Sequence, residues 1–298
     1  MEIHFEINNR CMLSCRHCSS MATKFKGEME YSEKDMLNLL KNLGEEKEVF
    51  LTGGEPLLYP HLDSLLDYLY SQLQDLRLGL FTTGIVSTSG KLSSISEEYA
   101  HRLFSCGLRV CYLSVYSHLE QEHDLMTREC GSFNMLNSSL KNLQNAGVEI
   151  RFNSVVTKRN RTQFNDIIAF AEKNRVTEVR MLKLVGQGRA IDCWDEIGVT
   201  GEDYRSTVIN ALKRDNKTQV TCSGAIDIMP CRRGAEINSC PAGIGGLYVS
   251  NNGNIFPCAS VKCKEEFNLG NISEDGIVNK INNWRDSCKD SAGRMLCL

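Results

Sequence analysis

Three cysteines near the N-terminus have a spacing that suits an iron–sulfur cluster. Cys11, Cys15 and Cys18 follow a strand-like run at residues 2–8 in the pattern Cys-x3-Cys-x2-Cys. Three thiolates on one short loop can hold three irons of a cubane cluster, and no fourth cysteine follows closely. An electron carrier normally supplies four ligands, so one iron is left open to a ligand from outside the protein. The spacing predicts chemistry at the cluster, with a zinc knuckle or a structural cluster as the alternative.

A second motif closes the next predicted strand. The segment reads Thr52-Gly53-Gly54-Glu55-Pro56. Its two glycines let the backbone approach a ligand without a Cβ atom in the way. Alone, such a motif is typical of an ordinary strand-to-helix turn. It is far more specific one β/α unit after a cysteine triad, and the two motifs together support the functional prediction.

The two motifs resemble those of the radical S-adenosylmethionine (SAM) enzymes. The resemblance implies that the amino and carboxylate groups of SAM chelate the open iron of a [4Fe-4S] cluster. In this family the cluster cleaves SAM reductively to methionine and a 5′-deoxyadenosyl radical, which abstracts hydrogen from substrate. The resemblance also implies that Gly53, Gly54 and Glu55 contact the SAM amino group, with Glu55 accepting a charge-assisted hydrogen bond.

Weaker matches to the family lie beside the cysteine triad and at later strand ends. His17 stands where relatives usually have an aromatic residue near the adenine. Thr83, Ser114 and Asn153 stand where relatives commonly place polar contacts to the cofactor. Arg180 could meet the SAM carboxylate or the substrate. For each of these residues a satisfied structural role is the alternative.

Cysteines near the C-terminus resemble a second site of the same kind. Cys240, Gly253, Cys258 and the segment 269–272 resemble the start of the SPASM and twitch extensions, which hold auxiliary iron–sulfur clusters. Few cysteines follow, so one auxiliary [4Fe-4S] cluster is expected, with bound zinc as the alternative. The expected ligands are Cys231, Cys240, Cys258 and Cys263, and Cys288 or Cys297 could replace Cys263.

The elements that would position these residues alternate between strand and helix. Strands are predicted at 2–8, 48–52, 77–83, 110–116, 148–157 and 178–185, with helices at 32–43, 61–74, 97–106, 133–146 and 162–174. This alternation implies parallel pairing with right-handed crossovers. The expected α/β fold is a partial (β/α)6 TIM-like barrel at residues 1–218, with its site at the C-terminal strand ends. A small β-hairpin-plus-helix twitch/SPASM-like extension is expected at residues 219–298, with the hairpin turn at Asn252-Gly253.

Composition limits the partners and the compartment. The chain has 298 residues and a net charge of -3, without a basic tail, which argues against nucleic acid and anionic lipid as partners. It has no run of about 20 apolar residues and no signal pattern, so a cytoplasmic protein without membrane association is expected. In such a protein its 14 cysteines indicate metal or thiol chemistry rather than disulfides.

These features lead to three functional hypotheses. The first is a radical SAM oxidoreductase that modifies a ribosomally synthesised peptide by oxidative cross-linking or epimerisation. The second is a radical SAM dehydrogenase of a small alcohol or sugar, and the third is a non-catalytic, cysteine-rich metal-binding regulator. Either enzyme needs an electron donor such as flavodoxin or ferredoxin. Because the triad begins at Cys11, we expect either that a separate leader-peptide recognition protein presents the substrate or that the enzyme recognises the substrate directly.

Overall fold

The computed structural model contains an α/β fold built on one ten-stranded sheet. The residues that it describes are 1–23, 27–44, 48–73, 76–223, 242–243 and 245–289. The strands in this part of the chain are β1 (Glu2–Asn8), β2 (Glu48–Gly53), β3 (Arg77–Thr82), β4 (Ile85–Thr88), β5 (Lys91–Ser94), β6 (Leu108–Ser114), β7 (Glu149–Val156), β8 (Glu178–Lys183), β9 (Gln219–Cys222), β10 (Gly246–Val249), β11 (Asn254–Phe256) and β12 (Gly270–Asn271).

The helices cover the outer face of this sheet or link its strands. They are α1 (Glu33–Asn42), α2 (Leu62–Gln72), α3 (Glu97–Ser105), α4 (Glu120–Thr127), α5 (Ser132–Asn145), α6 (Phe164–Lys173), α7 (Arg189–Asp192), α8 (Trp194–Ile197), α9 (Gly201–Lys213) and α10 (Ile277–Lys289). Ser32 caps α1 with a capping box to Asp35, as its position before an apolar stripe suggests. None of the helices among the described residues has the length and apolar character that a membrane span needs.

The strand order confirms the predicted α/β fold. The sheet runs β12-β11-β10-β1-β2-β3-β6-β7-β8-β9, and the pairs between β10 and β9 along this order are parallel. Each of the six predicted barrel strands is present, and both ends of every strand lie within two residues of the predicted bounds. The structure adds elements that the sequence pattern did not predict: the β4–β5 hairpin, the helix α4 and the edge strand β9.

The sheet curves into a partial barrel with a polar interior. In β1, Ile3, Phe5 and Ile7 are completely buried on the outer face, beneath the helices. The alternate residues face inward, since successive side chains of a strand point to opposite faces. The inward Glu2 accepts hydrogen bonds from Arg180 of β8 at 2.6 and 2.8 Å, although β8 lies five strands away in the sheet. Only a strongly curved sheet allows this contact.

Ion pairs fill the barrel where the strands begin, and we name this group the floor network. Its members are Glu2, Glu48, Glu149, Glu178, Arg77, Arg151 and Arg180. Arg151 of β7 bridges Glu149 at 2.7 Å and Glu48 of β2 at 3.2 Å. Tyr112 adds a hydrogen bond to Glu178 at 2.7 Å. Because these charged side chains pair across the interior, they fill the end of the barrel where the strands begin. A ligand site is therefore expected at the opposite end, where the strands end.

The floor network should make stability depend on pH. Burial raises the pKa of Glu2, but hydrogen bonds from His4 and Arg180 outweigh this effect and hold it well below its usual range. A lowered folded-state pKa stabilises the protein above the unfolded-state value of about 4.5, and this contribution is lost as the pH falls further. We expect Glu2→Gln to lower the free energy of unfolding by about 2 kcal/mol at pH 7. In urea titrations the difference from wild type should shrink steadily below pH 4.5.

The exposed Glu266 provides the matched control for this prediction. Glu266→Gln should leave the urea midpoint unchanged at every pH. A Glu2→Gln variant as stable as wild type at pH 7 would show that the network contributes nothing to folding.

The C-terminal segment continues the barrel sheet. β10 pairs in parallel with β1, with Glu2 opposite Gly246, and β11 then pairs antiparallel with β10. The intervening turn contains Gly253 at φ +85°, a conformation that glycine adopts without a steric cost. At the other edge β9 pairs with β8. One sheet therefore crosses the expected boundary between residues 218 and 219.

Candidate functional site

The three N-terminal cysteines lie on one loop at the C-terminal end of β1. Cys11 and Cys15 are buried in an apolar cluster with Leu13 and Ala22, and Cys18 packs against it half-buried. Burial and the neighbouring carboxylate of Glu55 raise the pKa of Cys11 to about 12. Burial also raises the pKa of Cys15, so bound metal would be needed to stabilise the thiolates of Cys11 and Cys15.

The three thiols of the N-terminal loop are the predicted cluster ligands. Within the described ranges, no group of three or more His, Cys, Asp or Glu side chains is arranged to hold one ion. In a cubane each cysteine binds a different iron, so the sulfurs surround a larger common space. The three cysteines of this loop match the number of protein ligands that a cubane with one open iron uses.

Arg189 holds the cysteine loop in shape. Its Nε donates to the carbonyl oxygen of Cys15 at 3.0 Å and its Nη1 to that of Ala22 at 3.1 Å. Its backbone N–H donates to the carbonyl oxygen of Cys18 at 3.0 Å. Gly188 has φ +58°, and a Cβ there would lie 2.4 Å from the same Cys18 oxygen. The segment after β8 therefore supports the cysteine loop through both backbone and side-chain hydrogen bonds.

The two glycines of the Gly-Gly-Glu motif allow the main chain to pack against the start of the same loop. A Cβ on Gly53 would lie 2.1 Å from the carbonyl oxygen of Asn8, and one on Gly54 the same distance from that of Arg10. Gly54 N–H donates to Asn8 at 2.9 Å, and Glu55 N–H donates to Arg10 at 2.6 Å. The two glycines thus allow a close approach between their own backbone and residues 8–10, which lead into the cysteine loop.

The Glu55 carboxylate is fully organised by neighbouring donors. Thr83 donates to one of its oxygens through its N–H at 2.8 Å and its hydroxyl at 2.6 Å. The other oxygen accepts from the Thr82 hydroxyl at 2.5 Å and from Leu57 N–H at 3.2 Å. Burial raises the pKa of Glu55, and these four hydrogen bonds oppose the rise. Thr83 is half-buried, so its hydroxyl can still accept from a ligand's ammonium while it donates to Glu55.

His17 lies on the inner side of the cysteine loop, against Tyr116. Their ring centroids are 4.4 Å apart, and burial lowers the pKa of His17 to about 4. Its Nδ1 atom is buried with no hydrogen-bond partner in the part of the chain that the structure describes. Burial raises the pKa of Tyr116 well above its usual value, and its hydroxyl interacts with the Ser114 side chain. The pattern had not singled out Tyr116 as a site residue.

Asn153 lies beside Ser114, its partner across the β6–β7 pair. Its Oδ1 atom is buried and accepts no hydrogen bond from any described residue. Such an atom is costly unless something donates to it. A bound polar ligand in the barrel would remove this cost, which is an independent sign that the interior is built to hold one.

The structure does not bring Arg180 to this site. Its guanidinium pairs with Glu2 at 2.6 Å and with Glu178 at 3.2 Å, in the floor network at the other end of the strands. The expectation that Arg180 meets a cofactor or substrate carboxylate followed from its place on β8. Instead, Arg180 pairs with two carboxylates of the protein, and the curvature of the sheet is what brings Glu2 within reach.

The described C-terminal cysteines flank a short turn. Cys258 is half-buried and Cys263 is exposed, on either side of the 3-10 turn Ala259–Val261. The Cys258 sulfur accepts from Ser260 N–H at 3.4 Å. Cys231, Cys240 and Cys297 lie outside the described residues, and Cys288 falls within α10, where its side chain is not described. Two of the four expected ligands are therefore on one loop.

The comparisons with known proteins agree with this geometry. The model of the Radical SAM superfamily matches residues 5–171. An AdoMet-dependent heme synthase from Oleidesulfovibrio alaskensis is 26% identical over 295 residues, covering 91% of this chain and 72% of the relative. The mycofactocin maturase MftC from Mycobacterium tuberculosis is 26% identical over 292 residues, covering 95% of this chain and 70% of the relative.

A solved structure shares the fold. The crystal structure of Streptococcus suis SuiB bound to precursor peptide SuiA aligns with a TM-score of 0.69 at 15% identity. The match covers 97% of this chain and 66% of SuiB, so this chain spans just under two thirds of that protein. At this identity the likeness establishes the architecture only.

Proposed function

Because this chain belongs to the radical SAM superfamily, we propose that it is an enzyme that reductively cleaves SAM and modifies a ribosomally synthesised peptide. The observation that carries the proposal is the joint construction of the cysteine loop and Glu55. Main-chain hydrogen bonds tie Gly54 and Glu55 to the residues that lead into Cys11. Three thiols and a carboxylate are thus held as one rigid unit, which suits a cluster and an amino acid bound side by side.

The described residues fit both cofactors. Cys11, Cys15 and Cys18, which pack in one cluster, would hold three irons of a [4Fe-4S] cluster. When bound, the reduced cluster would supply the one electron that cleaves SAM to methionine and the 5′-deoxyadenosyl radical. The Glu55–Thr83 pair would receive the SAM ammonium. The external electron comes from a donor such as flavodoxin or ferredoxin.

Three further residues would complete the SAM site, in keeping with their polar character inside the barrel. Asn153 has an unmet acceptor that a ribose hydroxyl or the ammonium can satisfy. Ser114 lies beside it on the neighbouring strand. His17 remains neutral, so its ring can stack against an adenine without placing a charge there.

The peptide substrate is supported by the kinds of relatives that the chain matches. One is named a maturase, and the solved structure of SuiB contains a precursor peptide. The heme synthase relative favours a second candidate, an oxidation of a small molecule such as the dehydrogenation of an alcohol or sugar. A regulator without catalysis has no use for a carboxylate organised by four donors next to a cysteine triad.

We further propose one auxiliary cluster, with Cys231, Cys240, Cys258 and Cys263 as ligands. We expect anaerobically reconstituted wild type to contain about eight irons per chain and Cys258→Ala about four, since each cubane holds four. Iron, zinc and acid-labile sulfide analysis checks this directly. About four irons in the wild type would rule out the second cluster, and one zinc per chain would replace it with a structural metal site.

Deuterium transfer distinguishes the two substrate classes. Peptides encoded beside the gene, deuterated throughout, are incubated with the reduced enzyme and SAM. Deuterium in 5′-deoxyadenosine is the expected result, because the radical takes hydrogen directly from its substrate. Absence of transfer from every such peptide, together with transfer from a deuterated alcohol or sugar, would assign the enzyme to the second class. Absence of any SAM cleavage would leave only the regulator.

A further inference from the structure

A buried lysine connects the two cysteine loops. Lys262 lies between Cys258 and Cys263, and its side chain is only 10% exposed. Its Nζ donates to the Ser20 hydroxyl at 2.6 Å, the Tyr248 hydroxyl at 3.1 Å and a Glu6 carboxylate oxygen at 3.2 Å. An ammonium has three N–H donors, so these contacts use its full capacity.

The acceptors of Lys262 come from three separate segments. Ser20 follows the cysteine triad by two residues, and Tyr248 lies in β10. Glu6 belongs to β1, faces the barrel interior, and its other carboxylate oxygen accepts from Asn251 N–H at 3.3 Å. Its side chain is 4% exposed. Breaking such a buried pair is costly, because it leaves a charge without a partner.

A second hydrogen bond, from Gln187, also attaches the turn between Cys258 and Cys263 to the rest of the site. Gln187 Nε2 donates to the carbonyl oxygen of Ser260, within the turn between Cys258 and Cys263. Gln187 directly precedes Gly188 and Arg189, which grip the N-terminal cysteine loop. The turn is thus attached both to the end of the cysteine loop and to the segment that supports it.

We infer that Lys262 is a positioning residue that fixes the Cys258–Cys263 turn against the end of the Cys11–Cys18 loop. The spacing between the two proposed cluster sites then depends on a side-chain contact as well as on the sheet. This inference rests on the proposed function for its meaning in catalysis. The contact itself can be tested independently of SAM cleavage.

Hydrogen exchange of the reconstituted protein tests the contact. Lys262→Met removes the ammonium while keeping the length and apolar stem of the side chain. We expect exchange in peptides covering residues 18–23 and 256–264 to rise about tenfold, because hydrogen bonds to a charged group are lost at both places. The remaining peptides of the barrel should exchange as in wild type.

A double variant separates positioning from stability. Lys262→Met combined with Glu6→Gln leaves no unpaired buried charge, so its melting temperature should recover toward wild type. The exchange at residues 18–23 should stay raised, because Ser20 still lacks its donor. Lys280→Met provides the control, since Lys280 is an exposed lysine of the same extension, paired with Glu274 at 2.5 Å. It should change neither readout.

Three results would overturn the inference. One is unchanged exchange at residues 18–23 in Lys262→Met. Another is a uniform rise across all peptides, which indicates general destabilisation. The third is full recovery of protection in the double variant, which would show that the pair matters for charge burial alone. Failure of the proposed function is recognised separately, as absence of 5′-deoxyadenosine from a wild type whose loops are protected as expected.

Discussion

The Cys15→Ala variant is expected to produce no SAM-derived 5′-deoxyadenosine above background. Cys15 is one of three thiols that would each hold a separate iron. Among the described residues, the cluster around it contains no cysteine besides Cys11 and Cys18 that could replace it. Groups that act as one unit lose nearly all activity when a single member is removed. We therefore expect a loss of at least about a thousandfold in SAM cleavage by the dithionite-reduced protein.

The matched control is Cys106→Ala. Cys106 is half-buried at the end of α3, on the outer layer of the barrel. This variant should cleave SAM at the wild-type rate and bind the same amount of iron. Cleavage by Cys15→Ala within about tenfold of wild type would contradict the assignment of Cys15 as an essential ligand.

The Gly54→Ala variant is expected to fail in forming the cysteine loop. Its new Cβ would lie 2.1 Å from the Arg10 carbonyl oxygen and 2.5 Å from the Arg10 carbonyl carbon. Both are backbone atoms, so no side-chain rotation relieves the overlap. We expect the free energy of unfolding in urea to fall by about 3 kcal/mol or more, at the upper end for overpacking. Reconstituted iron at the N-terminal site should be lost with it.

Gly201→Ala is the control for this substitution. Gly201 is the first residue of α9, and a Cβ there meets nothing within 4 Å. Alanine should leave iron content unchanged and stabilise the protein by a few tenths of a kcal/mol through the unfolded state. If Gly54→Ala matched wild type in both measurements, the tight approach of β2 to the cysteine loop would play no part in building the site.

Local sequence patterns were sufficient for the barrel elements and for the centre of the site. Alternation of strand and helix located the six barrel strands β1, β2, β3, β6, β7 and β8, because periodicity reports local burial. The sequence predicted Glu55 and Thr83 near the cofactor, each because it follows the end of a strand. It did not predict the hydrogen bond between them. Their direct hydrogen bond follows from the pairing of neighbouring strands.

The sequence pattern did not predict which side chains form contacts across the barrel interior. Arg180 was expected near the cofactor or the substrate. It pairs with Glu2 instead, because the curved sheet brings side chains of β8 and β1 into contact across the interior. Lys262 and Glu6 are separated by 256 positions, and nothing near either residue signals the other. Arg189, which supports the cysteine loop, was not among the predicted site residues. Charged side chains find partners through tertiary geometry, which local patterns do not encode.

Electron paramagnetic resonance of the anaerobically reduced protein tests the central claim most directly. If one iron of the N-terminal cluster lacks a cysteine ligand, SAM binds to it and changes its electronic environment. The account predicts that the g values of the reduced cluster shift when SAM is added to a Cys258→Ala protein, which retains only the N-terminal cluster. A cluster signal that stays the same with and without SAM would contradict it.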